Sequence, residues 1–306
     1  MRSTVVNKSA FLRVITLAVM LARVAWQPAR AEDSAVLHSS DSCARSAFRV
    51  VIDVGHTATS PGADSARGVP EYEFNLQLAD AITQSLHEAG FDKTVRLVTS
   101  GTRVTSLFER AASANHLKAE LFISIHHDSV PDNLKETWQY DGKKRPYSDR
   151  FSGYAIFVYN DNVDAAGSSS FGRSLGQELQ KRGLRYTPHY TFPLMGRYRH
   201  DLIDEEAGVY RYDHLIVLHS TRMPAVLLEA GSIINRQEEL ELVTSERRLT
   251  IAQAVTTAVE EFCTVRELAV TGQLPANNLA RGPTKASRAI KRATLPHRKL
   301  IRPAKT

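Results

Sequence analysis

Three short apolar runs in this chain have the length and composition of buried strands, and each leads into a histidine or a glutamate. They are VVIDV before His56, LFISI before His126 and PAVLL before Glu229. A polar or charged side chain at the end of a buried strand loses hydration energy unless a partner compensates for it. A fourth polar residue, Glu71 in GVPEYEFN, opens a helical pattern. The fold of this chain therefore has to bring partners to these four residues.

The segments between these runs predict an α/β fold. Apolar spacing predicts helices at 71–89, 104–117, 171–182 and 246–262. Short apolar runs predict strands at 48–54, 95–98, 121–125, 154–159, 215–218 and 225–228. Strands that alternate with helices are typical of a mostly parallel sheet covered on both faces, here in one domain at 48–264. The polar stretch 131–150 predicts an inserted loop or lid, and 184–213 an irregular segment.

The same pattern predicts a metal site. Carboxyl ends of parallel strands meet at one edge of a sheet, so we expect His56, His126 and Glu229 to lie close together, with Glu71 brought back by the first helix. Two histidines and a carboxylate are the ligand set of a catalytic zinc with an open fourth position. We therefore expect His56, Glu71 and His126 to bind Zn²⁺, and Glu229 to transfer the proton of a water. No organic cofactor is needed.

Two neighbouring residues compete for these roles. His127 follows His126 directly, and on an extended strand its side chain points to the opposite face. Glu73 lies two residues after Glu71, so a helix turns it well away. The sequence therefore favours His126 and Glu71.

The two ends of the chain differ from its middle. Residues 1–31 combine a basic start, an apolar stretch and Ala29-Arg30-Ala31, which predicts a secretory signal peptide, or alternatively an N-terminal anchor that is not cleaved. In both cases the protein is exported, to the periplasm or the medium. Residues 32–47 are a polar lead-in, and 265–306 predict a basic, disordered tail.

The charge follows this division. The net charge is +6, but residues 1–31 hold five Lys/Arg and 273–306 hold nine, both without acids, which leaves 32–272 at −8. The basic pI therefore does not indicate nucleic-acid binding by the domain. The tail either contacts an anionic cell-wall polymer or lipid surface, or is solvated without a partner.

Two cysteines flank the predicted domain, Cys43 before the first strand and Cys263 at the end of the last helix. In an exported protein a disulfide between them is plausible, and two separate thiols are the alternative. Neither has the spacing of a zinc site.

Several motifs together carry a resemblance to a known family. They are DVGH (53–56), PGA (61–63), EYEFNLQLA (71–79), Arg110 with Ala114-Asn115, FISIH (122–126) and LLEAGSIIN (227–235). In this order they resemble the zinc-dependent N-acetylmuramoyl-L-alanine amidases of bacterial cell-wall turnover, over about residues 48–262.

The resemblance implies a three-layer fold with a twisted, mainly parallel sheet between helices. It places His56, Glu71 and His126 at the zinc positions and Glu229 at the catalytic glutamate. The implied reaction cleaves the amide between N-acetylmuramic acid and L-alanine of peptidoglycan, in wall turnover or daughter-cell separation. Some relatives need a partner that uncovers the zinc, so an activator protein is a possible partner, and 131–150 and 184–213 are candidate covering segments.

The chain departs from the family pattern around the site. Thr57 follows the first histidine where a glycine is often found nearby, Gly231-Ser232 replaces a Gly-Phe, and His127 replaces a small residue. Two other functions remain open on the sequence: a zinc peptidase that trims stem peptides, and a catalytically silent wall-binding protein on the same scaffold.

Overall fold

A computed structural model describes residues 43–272. The predicted signal peptide at 1–31, residues 32–42 of the lead-in and the tail from 273 onward lie outside these residues. The described part contains nine strands and six helices. The strands are β1 (Val50–Val54), β2 (Val95–Leu97), β3 (Leu121–Asp128), β4 (Glu136–Tyr140), β5 (Lys143–Tyr147), β6 (Ala155–Val158), β7 (Asp201–Asp204), β8 (Val209–Arg211) and β9 (Ala225–Ser232). The helices are α1 (Glu71–Glu88), α2 (Arg103–His116), α3 (Ala165–Lys181), α4 (Ile216–Ser220), α5 (Arg236–Leu242) and α6 (Ser245–Val270).

Seven strands form one mixed sheet in the order β2-β1-β3-β9-β6-β8-β7. The neighbours β2/β1, β1/β3, β3/β9 and β6/β8 are parallel, whereas β9/β6 and β8/β7 are antiparallel. The sheet is thus mainly parallel, as predicted. Its middle strands are buried on both faces, which explains their continuous apolar runs.

Helices cover both faces of the sheet and give it three layers. Alternate residues of β3 separate the two cores: Ile123 belongs to the core under α1, α3 and α6, and Phe122 to the core under α2 and α4. The predicted fold class is therefore confirmed. Within residues 43–272, no helix combines the length and hydropathy that crossing a membrane requires.

Several element predictions were wrong in type. The run at 215–218 is not a strand but the start of α4, because four apolar residues carry no period that separates the two structures. The stretch 131–150 is not a structureless loop: β4 and β5 form a separate antiparallel hairpin. Asp141 and Gly142 at its turn both have positive φ, the conformation that Asp-Gly favours in two-residue hairpin turns. The irregular segment 184–213 contains β7 and β8.

One helix was not predicted, and α3 begins six residues before its predicted start at 171. The unpredicted helix, α5, begins after Asn235, whose side chain accepts hydrogen bonds from the Gln237 and Glu238 amides at 3.0 Å each. Helix α6 continues to Val270, so the first residues of the predicted tail are helical.

Cys43 and Cys263 form a disulfide that joins the chain before β1 to α6. Both residues are buried, and 220 positions separate them in the sequence. The bridge closes nearly the whole described domain into one covalent loop, which is worth about 4–5 kcal/mol in the chain-entropy model.

Candidate metal centre

Four elements bring the predicted site residues to one edge of the sheet. His56 lies two residues after β1, and Glu71 is the first residue of α1. His126 and Glu229 lie in the C-terminal halves of β3 and β9, where they are direct cross-strand partners. The structure thus brings together all four residues that the sequence singled out.

The carboxylate of Glu71 lies between the two histidines. Its Oε2 is 2.9 Å from His56 Nε2, and its Oε1 is 2.9 Å from His126 Nδ1. One donor atom from each of the three residues lies within 4.8 Å of the donor atoms of the other two. Three converging nitrogen and oxygen donors of this kind are suited to a metal ion.

Side chains around this group fix its geometry. Asn75, one helical turn after Glu71, donates from Nδ2 to Glu71 Oε1 and to the Gly55 carbonyl, both at 3.2 Å. Arg110 is 1% exposed and donates to the His56 carbonyl. It also lies 3.5 Å from the buried Asp53 carboxylate, which compensates its charge. These contacts hold His56 at φ +70°, a conformation that non-glycine residues seldom adopt.

Two glycines leave the space that the ligands occupy. A Cβ on Gly55 would lie 2.5 Å from His126 Nε2. Gly62 has φ +83°, and a Cβ there would lie 2.5 Å from Glu71 Oε2 and 2.8 Å from His56 Nε2. Both positions therefore require glycine for close packing against the ligand side chains.

The loop before Glu71 is held from three sides. The Ala66 amide donates to the Ile233 carbonyl after β9, and Trp138 of the hairpin donates from Nε1 to the Ala66 carbonyl, both at 2.9 Å. Arg67 pairs with Glu239 of α5 at 2.5 Å. The hairpin and α5, which the sequence did not predict, thus position the loop that carries Gly62 and leads to Glu71.

Burial and neighbouring charges set the protonation of the site. Burial by itself raises the pKa of Glu71, but hydrogen bonds with His126 and His56 outweigh it and hold this pKa well below its usual range. Burial lowers the pKa of His126, which favours the neutral ring that binds metals. Burial, together with the charges of Asp128 and Glu71, raises the pKa of Glu229 well above its usual range. Its Oε2 is buried without a hydrogen-bond partner among residues 43–272.

The two competing residues point elsewhere. Glu73 is exposed on α1. His127 faces the α1 side of the sheet, where its Nδ1 is 2.8 Å from Asn75 Oδ1 and its ring packs on Phe74. Burial lowers the pKa of His127 to about 3, so this ring stays neutral and supports Asn75.

Two clefts of about 740 and 600 Å³ open at the site. Both are lined by His56, Ala63, His126, Tyr212 and Glu229, so they meet where the predicted ligands lie. The first cleft runs between residues 128–135 and 190–200, and the second runs along α2 and α4. The two predicted covering segments therefore contribute walls, while the His56 side chain stays 24% exposed.

The geometry agrees with comparisons against known proteins. A family model described as N-acetylmuramoyl-L-alanine amidase, Amidase_3, matches residues 50–261. The chain belongs to this family. It is thus an enzyme of the N-acetylmuramoyl-L-alanine amidase class, and the resemblance seen in its motifs is confirmed.

Several proteins of similar sequence are also named as amidases. N-acetylmuramoyl-L-alanine amidase AmiA of Escherichia coli is 26% identical over 225 residues, which are 70% of this chain and 75% of that protein. A putative N-acetylmuramoyl-L-alanine amidase of Buchnera aphidicola is 23% identical over 70% of this chain and 95% of its own. The probable cell wall amidase LytH of Staphylococcus epidermidis is 24% identical, and the match spans 57% of its length.

Solved structures show the same fold. The amidase Ami1 of Mycobacterium smegmatis superposes with a TM-score of 0.54 at 18% identity, over 72% of this chain and 98% of that one. An amidase of Clostridium difficile 630 gives 0.51 at 19% identity, over 70% and 96%. The described region of the chain therefore has the fold of these structures.

Sequence reasoning assigned no role to three residues of the site. Asn75 could have been found, because it is four positions after Glu71 and therefore on the same helix face. Arg110 gave a weaker signal, a charged residue beside the apolar face of α2. Tyr212 gave none, since it lies in the segment that the sequence left irregular.

Proposed function

We propose that this chain is an exported, zinc-dependent amidase that hydrolyses the bond between N-acetylmuramic acid and L-alanine in peptidoglycan. One observation carries the proposal: the donors of His56, Glu71 and His126 converge within 4.8 Å, and Glu229 lies on the strand position next to His126. Both the donor set and the partnerless Oε2 of Glu229 fit a cation with a water in reach.

The roles of the residues follow from their positions. His56, Glu71 and His126 would hold Zn²⁺, which when bound lowers the pKa of a water and polarises the scissile carbonyl. Glu229 accepts the proton of the attacking water and delivers it to the departing amine of L-alanine. Its position beside His126, with Oε2 buried and without a hydrogen-bond partner among residues 43–272, leaves that oxygen available to a water at the site. Asn75 and Arg110 keep Glu71 and His56 in place during the cycle.

The two clefts suit a substrate that extends on both sides of the scissile bond. A muramic acid sugar lies on one side of that bond and the stem peptide on the other, and the clefts meet at the site residues. Since the described segments leave His56 reachable, we expect activity without an activator protein. The predicted signal peptide directs the enzyme to the periplasm or the medium, where its substrate is found.

Digestion of purified peptidoglycan by residues 32–306 tests this function. Mass spectrometry should identify free stem peptides that begin at L-alanine. Their release should stop with a chelator, return with zinc, and be absent in Glu229→Gln, which should still bind one zinc. Shortened stem peptides would identify a peptidase instead. Zinc binding without any release would indicate a silent wall-binding protein, or an enzyme that awaits its activator.

A further inference from the structure

Tyr212 is the one polar residue at the junction of the two clefts without a role so far. The five residues that line both clefts are His56, Ala63, His126, Tyr212 and Glu229. Two are predicted ligands, one is the predicted base and one is an alanine. A substrate that passes from one cleft to the other thus has to pass the Tyr212 side chain.

The ring of Tyr212 is held in place by its surroundings. Its backbone amide donates to the Val158 carbonyl at 2.9 Å, which extends the β6–β8 pairing by one residue. The ring centroid lies 4.0 Å from that of His200 and 5.6 Å from that of Phe157. A phenol held in this way needs little reorganisation to bind a substrate atom.

The hydroxyl of Tyr212 is uncommitted, unlike those of the other tyrosines in the first cleft. Tyr190 donates to Asp128 Oδ1 at 2.7 Å, and Tyr198 accepts from Arg197 at 2.8 Å. Among residues 43–272, no hydrogen bond involves the Tyr212 hydroxyl. Partial burial, with the Tyr198 hydroxyl as a further cause, raises the pKa of Tyr212, and the Glu229 carboxylate acts in the same direction. The phenol therefore stays protonated and able to donate.

We propose that the Tyr212 hydroxyl donates a hydrogen bond to the carbonyl oxygen of the scissile amide as negative charge develops on it. The proton stays on the phenol, and the water proton still goes to Glu229 and then to the leaving amine. This inference rests on the proposed amidase function and adds a second stabilising contact for the oxygen. Removing one donor of this kind slows catalysis by about 10²–10³ where donors alone stabilise the charge. A metal would share the charge here, so we expect a smaller loss, about 10–100-fold.

The test is Tyr212→Phe in the full enzyme with a soluble muramoyl-tripeptide as substrate. We expect kcat to fall about 10–100-fold with KM within about threefold, because the contact forms mainly in the transition state. Zinc stoichiometry should be unchanged. A phosphinate analogue of the amide, whose tetrahedral oxygens imitate the transition state, should bind more weakly by the same factor as kcat/KM falls. Tyr159→Phe is the matched control, since Tyr159 lies in neither cleft and should leave all four quantities unchanged.

Three outcomes would overturn the inference: an unchanged kcat, a raised KM with unchanged kcat, or loss of zinc from the variant. Each would assign Tyr212 to packing or to ground-state binding. Failure of the proposed function has a different signature, because the wild-type enzyme would then release no stem peptide beginning at L-alanine.

Discussion

Replacing Gly62 with alanine tests the predicted metal ligands without replacing any of them, because the added methyl group would crowd the side chains of Glu71 and His56. Gly62 has φ +83°, and a Cβ there would lie 2.5 Å from Glu71 Oε2, whereas ordinary contact begins at 3.4 Å. The Glu71 carboxylate or the loop thus has to move by about 0.9 Å, the difference between these two distances. Mutations of the groups around a metal ligand typically weaken metal binding about 10–100-fold, and we expect a loss of this size here.

Gly183 provides a matched control. It has φ +85°, nearly the same backbone conformation, and nothing lies within 4 Å of the Cβ that an alanine would add. Gly183→Ala should therefore show the backbone cost alone, about 1–2 kcal/mol for an L-residue in the left-handed region. Gly62→Ala should show a similar loss of stability plus the loss of zinc affinity.

Two measurements separate these effects. Urea titration in the presence of a chelator gives the free energy of unfolding of the metal-free protein. Competition with a chromophoric chelator gives the zinc affinity. If Gly62→Ala binds zinc as tightly as Gly183→Ala does, then Glu71 does not hold the metal in the observed geometry, and the assignment of Glu71 as a ligand is wrong.

Three further results are expected. Replacing Cys43 and Cys263 with serine should lower the free energy of unfolding by about 4–5 kcal/mol, and reductant should destabilise the wild type in urea titrations by the same amount; an unchanged midpoint would contradict a formed bridge. Trp138→Phe removes the Nε1–H that donates to Ala66 and also part of the ring surface under Arg67 and Arg236, so urea unfolding should show a loss of at least about 0.5–1.5 kcal/mol. His127 has a pKa of about 3 when folded against 6.5 when unfolded, so the unfolded chain takes up a proton first as the pH falls. The metal-free protein should thus lose about 2 kcal/mol more than His127→Asn between pH 6.5 and 5, measured by urea unfolding at each pH; parallel pH profiles would refute the buried neutral ring.

The sequence predicted the part of the site that strand ends determine. His126 and Glu229 follow apolar runs that form central strands, and parallel strands place their carboxyl ends at one edge. Glu71 was placed correctly because a helix that follows β1 has to return to that edge. The pairing of His126 with Glu229 as direct neighbours was not predictable, since strand order is a property of the whole sheet.

Tertiary contacts decide what the sequence missed. The run at 215–218 is too short to show a period, and only the structure shows it as a helix that packs with α2 in one apolar core. Trp138 and Arg67 sit in polar stretches without periodicity, and their meeting depends on how the hairpin folds back on the loop. Tyr212 gains its position from its backbone bond to Val158 and from the rings of His200 and Phe157, which no local pattern indicates.

The disulfide has a consequence for how the protein responds to proteases. The turn of the β4–β5 hairpin is exposed and is followed at once by the exposed Lys143 and Lys144, beside the kind of loop tip at which trypsin-like enzymes cut. A cut there falls inside the loop that Cys43 and Cys263 close, so both fragments stay covalently joined. His56 and Glu71 would remain on the fragment that contains Cys43, and Glu229 on the fragment that contains Cys263. A nicked molecule therefore persists as one covalent unit, whereas dissociation of an unbridged chain would separate Glu229 from the three predicted metal ligands.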